Sequence, residues 1–183
     1  DLSEDMLAIA NEKASDAQVS IPFIMQDMTV LQGFEQQDCA VIFLDSLCYL
    51  PSEKEVKQTF QSIYELLKDG GVLLFDVHST YKMNEIFIDS TFTLVEDDIS
   101  YIWNSFKGEH EHSVEHELTF FVYDETSSQY DRFEEFHKQR TYSVTDLQKW
   151  LTEVGFTVLS VNGDTPNSSI DTKSERIFFT CKK

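Results

Sequence analysis

The chain has 183 residues, enough for one full domain core with an elaboration, so its folding does not depend on disulfides. Its 14 Lys and Arg stand against 33 Asp and Glu, a formal charge of −19 that repels phosphate backbones and anionic lipid heads and argues against nucleic acid as a partner. No apolar run approaches the ~18 residues of a membrane span, and the first residues, Asp1-Leu2-Ser3-Glu4-Asp5, resemble no secretory signal.

Cys39, Cys48 and Cys181 are odd in number, far apart and mostly set in apolar runs, which reads as reduced, buried thiols in a cytoplasmic protein. Residues 3–17 carry Met6, Leu7, Ile9, Ala10 and Ala14 at helical spacing. Ser3 serves as N-cap, Glu4 and Asp5 sit at the positive helix end, and Leu2 with Leu7 forms a hydrophobic staple. An apolar strand is predicted over 19–26, ending in Gln26-Asp27, and a second over 38–44, almost wholly apolar as a buried parallel sheet demands. Ser52-Glu53-Lys54-Glu55 is a capping box, after which Val56, Phe60, Ile63 and Leu67 mark one face of a helix predicted to stop at Gly70-Gly71. A strand over 72–77 follows at once, and this alternation predicts an α/β sheet wound by right-handed crossovers.

From Tyr81 the pattern changes. Residues 92–142 form three or four longer segments rich in Phe, Tyr, Trp, Thr and Val without helical periodicity, which predicts an antiparallel insertion. Ser143-Val144-Thr145-Asp146 then caps a helix stapled by Tyr142 and Leu147, with Leu147, Trp150, Leu151 and Val154 facing inward before Gly155 ends it. Strands over 156–161 and 176–181, joined by a polar loop over 162–174, close the chain.

Three acidic sites fall where an α/β sheet binds ligands, outside the carboxyl ends of its strands. Asp1 stands where a carboxylate can accept hydrogen bonds from both ribose hydroxyls of a nucleoside, and Asp27 with Met28 where an acid takes the adenine amine while an apolar side chain covers the ring. Asp45 and Ser46 follow the next strand, beside the place of a cofactor's reacting end. An aspartate at a strand end commonly does no more than cap a turn, but three in register favour the ligand reading.

Four motifs carry a resemblance: Asp1-Leu2-Ser3-Glu4-Asp5-Met6-Leu7, Gln26-Asp27-Met28, the run from Ile42 through Asp45 to Leu50, and the run from Leu67 through Gly70-Gly71 to Asp76. In order and spacing the chain resembles the class I S-adenosylmethionine-dependent methyltransferases. In particular it is similar to a bacterial branch with a β-rich insertion, where a segment like His137-Lys138-Gln139-Arg140-Thr141-Tyr142 leads into the last helix. The resemblance implies an α/β, Rossmann-like, mostly parallel core over 1–88 and 143–183, with an antiparallel β insertion over 89–142. It implies S-adenosylmethionine as cofactor, with Asp1 at the ribose, Asp27 and Met28 at the adenine, Leu44 and Asp45 at the methionine part, and Leu2 among the cofactor-binding residues. It also places the family's first strand and glycine-rich turn before Asp1, so this stretch alone is expected to bind cofactor weakly or not at all.

Methyl transfer asks for positioning and exclusion of water, and for a base only when the acceptor must lose a proton. Asp45, Tyr49 and His78 are the candidates at the pocket mouth. His137, Arg140 and Tyr142 sit on a predicted insertion strand expected to cover the pocket, with His137 and Arg140 on opposite faces by strand alternation; Arg140 suits either a carboxylate-bearing substrate or a structural ion pair. His110, His112 and His116 would share one strand face, spread too far for a single ion, so a solvated edge is expected and no metal site. Tyr101, Trp103, Phe120, Phe121 and Tyr123 either line a pocket for an apolar or planar substrate or pack the insertion on the core. The expected partner is a small-molecule methyl acceptor, with neither nucleic acid nor membrane. The alternatives are a non-catalytic methyltransferase-like binding module and a nicotinamide-dependent oxidoreductase; the Asp27-Met28 pair and the final strand pair count against the latter.

Overall fold

A computed structural model describes residues 1–165 and 168–183; of the polar loop expected over 162–174, Pro166 and Asn167 lie outside the described residues. Two four-stranded sheets organise the described residues. The main sheet has the order β1-β2-β8-β7, with β1 at Gln37–Ile42, β2 at Leu67–His78, β7 at Thr157–Asn162 and β8 at Arg176–Lys182. β1 and β2 run parallel, while β2–β8 and β7–β8 are antiparallel. The mostly parallel sheet of the sequence reading is thus one parallel pair among these strands. The strand-turn-strand unit that closes the chain returns along β2 in the opposite sense. The second sheet is antiparallel and sequential, with β3 at Ser90–Val95, β4 at Ile99–Lys107, β5 at Ser113–Asp124 and β6 at Gln129–Arg140.

Alternation places the core. Leu73, Phe75 and Val77 of β2 lie directly opposite Cys181, Phe179 and Ile177 of β8, and all six are buried. Phe75 and Phe179 stack with ring centroids 4.6 Å apart. Over this surface lie α2 (Glu53–Leu66), through Val56, Phe60 and Ile63, and α3 (Val144–Val154), through Leu147, Trp150 and Leu151. Both helices start on serine caps whose Oγ accepts a backbone N–H three residues on, from Glu55 and Asp146. α3 ends at Gly155 in the left-handed region (φ 118), where a Cβ would lie 3.0 Å from the Tyr64 ring, so no larger residue fits without displacing Tyr64. α2 ends at Leu66 rather than at Gly70, because Leu67 turns to extended backbone and is fully buried as the first residue of β2.

Other expectations change in the tertiary context. α1 (Glu4–Asp16) forms on its Ser3 cap, yet of its apolar residues only Ala14 is buried, and Met6 and Ile9 are exposed. The strand expected over 19–26 is irregular. A strand exists only as part of a ladder, and among the described residues this segment has none: Gln26 N–H donates to the Asp1 carbonyl (3.1 Å) and the Asp1 amino group to the Ile24 carbonyl (3.4 Å), two isolated bonds that do not extend into strand pairing. Cys39, expected to be buried, is exposed: with Val41 it faces the side of β1 opposite to Ala40 and Ile42, and no described helix covers that side. His110 and His112 do not share a strand face with His116; they lie in the turn before β5, where Ser113 Oγ accepts the His110 N–H and donates to its carbonyl.

The second sheet is joined to the first by aromatic packing. A π-helical turn at Lys82–Phe87 pushes Phe87 against His78, Phe92, Trp103 and His116, with ring centroids between 5.0 and 6.1 Å. No helix of the described chain is long and apolar enough to cross a membrane.

Candidate active site

β1 ends in a strained turn. Leu44 and Asp45 are consecutive non-glycine residues in the left-handed region (φ 57 and 51), a conformation that costs of the order of 1–3 kcal/mol each and persists only where the surroundings demand it. The turn leaves the Leu44 side chain 78 % exposed and sends Asp45 back into the protein. A single turn of 3-10 helix, Ser46–Tyr49, then starts on the Cys48 N–H to Asp45 carbonyl bond (2.8 Å).

Three elements converge on the Asp45 carboxylate. Oδ1 accepts from Arg176 Nη2 of β8 at 2.9 Å; Oδ2 accepts from Gln139 Nε2 of β6 at 2.8 Å and from His78 Nε2 of β2 at 3.2 Å. Burial pushes this carboxyl up, but the hydrogen bonds and charges of His78, Gln139 and Arg176 together outweigh it and hold Asp45 below the ordinary carboxylate range. Arg176 also binds Asp76, whose carboxylate accepts the Asp45 backbone N–H at 3.1 Å and so fixes the strained turn from the neighbouring strand. Burial would lower the Arg176 pKa, and the Asp76 and Asp45 charges raise it instead. β2 carries His78 as its last residue, two beyond Asp76, and β8 presents Arg176 in register with it.

The second sheet supplies its contribution through a chain of fixed polarity. Trp103 Nε1–H donates to His116 Nδ1 (2.9 Å), so the neutral ring carries its proton on Nε2 and donates to Gln139 Oε1 (3.3 Å); the Gln139 amide must then turn its NH2 to Asp45. Burial lowers the His116 pKa to about 4, which keeps that ring neutral. Nearby, on the same face of β6, His137 Nδ1 lies 3.3 Å from the Tyr49 hydroxyl and its Nε2 lies 3.0 Å from Glu135 Oε2. Burial raises the pKa of the half-exposed Tyr49 phenol, and the charge of Asp45 raises it further.

Of the residues selected from sequence, the fold brings together Leu44, Asp45, His78 and Tyr49. Asp1 and Asp27 form a separate acidic edge: Asp1 Oδ1 accepts the Ser3 N–H (2.9 Å), and Asp27 Oδ1 accepts the N–H and hydroxyl of Thr29 (2.8 Å each). These Thr29 bonds lower the Asp27 pKa. Both are thus turn caps, and among the described residues the second oxygen of each accepts nothing. Leu2 is exposed beside them, and Met28 packs half-buried on the core. Arg140 is not part of the cluster. It points to the other face of β6 from His137 and Gln139, lies over the Tyr142 ring (4.8 Å) and borders a groove of ≈ 780 Å³ with Ser52, Lys57 and Trp150. No ion pair of Arg140 exists among the described residues. Asp76, Gln139 and Arg176 were not selected from sequence. Gln139 had a signal, since strand period puts it on the His137 face, whereas Arg176 is joined to Asp45 only by strand pairing.

A family model described as a methyltransferase domain matches residues 1–71. The chain is 54% identical over 183 residues to the protein named "Putative methyltransferase GWCH70_2453" of Geobacillus sp. (strain WCH70), covering 100% of this chain and 74% of that protein. It is 46% identical over 184 residues to "Putative methyltransferase YqeM" of Bacillus subtilis (strain 168), covering 100% of this chain and 73% of the relative. Its fold superposes with a TM-score of 0.93, at 28% identity, on the crystal structure of an S-adenosylmethionine-dependent methyltransferase from Clostridium acetobutylicum ATCC 824, covering 100% of this chain and 72% of that one. With its strand-end acidic cluster and its second sheet folded over that cluster, the chain belongs to the class I S-adenosylmethionine-dependent methyltransferases.

Proposed function

We propose that this protein transfers the methyl group of S-adenosylmethionine to a small-molecule acceptor held between the strand ends of the main sheet and the inner face of the second sheet. The observation that carries this reading is the strained Leu44-Asp45 turn, fixed from β2, β6 and β8 at the carboxyl end of a parallel strand, where α/β sheets take their ligands. When bound, the cofactor supplies an already activated methyl group, so the task of the chain is to position, orient and exclude water.

The donor set fits a nucleoside. Asp1 and Asp27 each keep one carboxylate oxygen unengaged among the described residues, an acceptor for ribose hydroxyls at Asp1 and for the adenine amine at Asp27. Leu2 and Met28 offer the apolar contacts, while Leu44 and Asp45 border the methionine part. His78 orients Asp45 rather than facing an acceptor, being almost wholly buried, and Tyr49 is the catalytic candidate that reaches solvent. Arg140, on the far face of β6, has no role in this reading. The charge of −19 disfavours a nucleic-acid acceptor, and the inner face of the second sheet continues outward from Trp103 as Tyr101, Phe120 and Phe133, a surface for the body of an apolar or planar molecule.

Calorimetric titration of S-adenosylhomocysteine into the complete gene product tests the proposal. Micromolar binding that Asp45→Asn weakens by about tenfold or more supports it, tenfold being 1.4 kcal/mol. Absence of binding to the unaltered protein would turn the assignment to a non-catalytic binding module.

A further inference from the structure

We propose that Tyr49, His137 and Glu135 form a proton relay that deprotonates the methyl acceptor, so that the acceptor class is a hydroxyl, phenol or amine whose attacking atom carries a proton. The inference rests on the methyltransferase reading and deepens it. Three observations carry it. Glu135 can only accept as a carboxylate, so the His137 proton lies on Nε2, 3.0 Å from Oε2. The other nitrogen of the neutral ring, Nδ1, is then an acceptor, and the Tyr49 hydroxyl at 3.3 Å must donate to it. The rings meet edge to face at 5.8 Å, and Tyr49 is 47 % exposed, so the end of the relay is open to a ligand while its far end is anchored on β6.

The turn that holds Tyr49 begins at Asp45, which puts the phenol one helical turn from the strained strand end. The acceptor's O–H or N–H proton passes to the Tyr49 oxygen as the phenol's own proton passes to His137 Nδ1. The electron pair of the broken O–H or N–H bond stays on the acceptor atom, which forms the new bond to carbon; the methyl–sulfur pair stays on sulfur, and the positive charge ends on the imidazolium beside Glu135. Tyr49 is the catalytic residue of this scheme, and His137 and Glu135 are positioning residues that act through it. The charged and titratable groups around the relay suit this transfer. Asp45 and Glu135 are anions that favour an imidazolium, Cys48 is a neutral thiol pushed up to about 12 by burial, His116 opposite His137 is kept neutral with a pKa lowered to about 4, and His78 is engaged with Asp45.

Histidine ring 15N NMR of the complete gene product bound to S-adenosylhomocysteine reads the relay without turnover. The expected result is a neutral His137 ring protonated on Nε2, with an Nδ1 resonance that moves toward that of an unbonded ring nitrogen in Tyr49→Phe. A neutral ring protonated on Nδ1, or an Nδ1 resonance unmoved in Tyr49→Phe, overturns the relay. The second arm uses 4-nitrophenol as the probe in the same complex. The relay predicts that bound probe turns to the yellow phenolate at a pH about one unit below that of free probe, and that Tyr49→Phe and His137→Asn each abolish this advantage. No phenolate gain in the unaltered protein, or a gain kept in both variants, overturns the proposal while S-adenosylhomocysteine binding still upholds the methyltransferase reading. Loss of that binding in the unaltered protein fells both.

Discussion

The two sheets meet the chain's need for burial in opposite ways. In the main sheet, β2 and β8 set apolar side chains directly opposite one another, cover them with α2 and α3, and leave almost no polar atom among them. In the second sheet only one end of the inner face is buried, and that end mixes aromatic rings with polar groups: Trp103 and His116 pack on Phe87 while passing hydrogen bonds through Gln139 to Asp45. The rest of its inner face, with Phe120 and Phe133, and its outer face, with Phe136, meet solvent. Dry packing supplies stability, and a buried polar chain supplies orientation, because each of its members must be satisfied in one arrangement only. The region that fixes the fold and the region that shapes the site are therefore distinct, and they touch at Asp45.

That contrast can be broken by substitution in the complete gene product. Phe179→Ala removes the stacked partner of Phe75 and should cost about 3–5 kcal/mol in urea unfolding; a loss near that of an exposed site would show that the β2–β8 surface is not the dry core described. The His116 link predicts a pH dependence. Its folded pKa is depressed by burial to about 4 from the ordinary 6.5 of a histidine, so the unfolded chain binds the extra proton between those values and stability falls as pH drops through that window, levelling below about 4. The loss should be about 3 kcal/mol and should shrink in His116→Asn; a flat profile in the unaltered protein would remove the burial argument. Asp27→Ala should weaken S-adenosylhomocysteine binding by about 1–3 kcal/mol, the cost of an unmatched amine, with little change in thermal unfolding, since its present bonds are local to Thr29. Unchanged affinity would leave Asp27 a turn cap and nothing more. The smallest effect belongs to Phe136→Ser on the outer face, within about 0.5 kcal/mol; a larger loss would mean that this face is covered rather than solvated.

The helices, their serine caps and the alternating strands were legible because they depend on neighbours three or four residues away. Ser52, Ser143 and Gly155 act where their spacing placed them. Asp45 was legible too, as an acid at the end of an apolar strand. The segment over 19–26 was not, because apolar residues license a strand but only a laddered partner makes one. Cys39 was misjudged for a similar reason: an apolar neighbourhood in sequence does not say which side of a strand is covered. The residues that orient Asp45 come from positions 76, 78, 139 and 176, and their meeting depends on the antiparallel register of β2 with β8 and on the turn that carries the second sheet back over the strand end. Local spacing determined the elements, their caps and the acidic strand end by short-range sterics and hydrogen bonding. Tertiary structure alone decided which side chains surround Asp45, which face of β6 turns toward it, and that His137 meets Tyr49, because contacts between residues about a hundred positions apart are set by strand pairing and burial and leave no local trace.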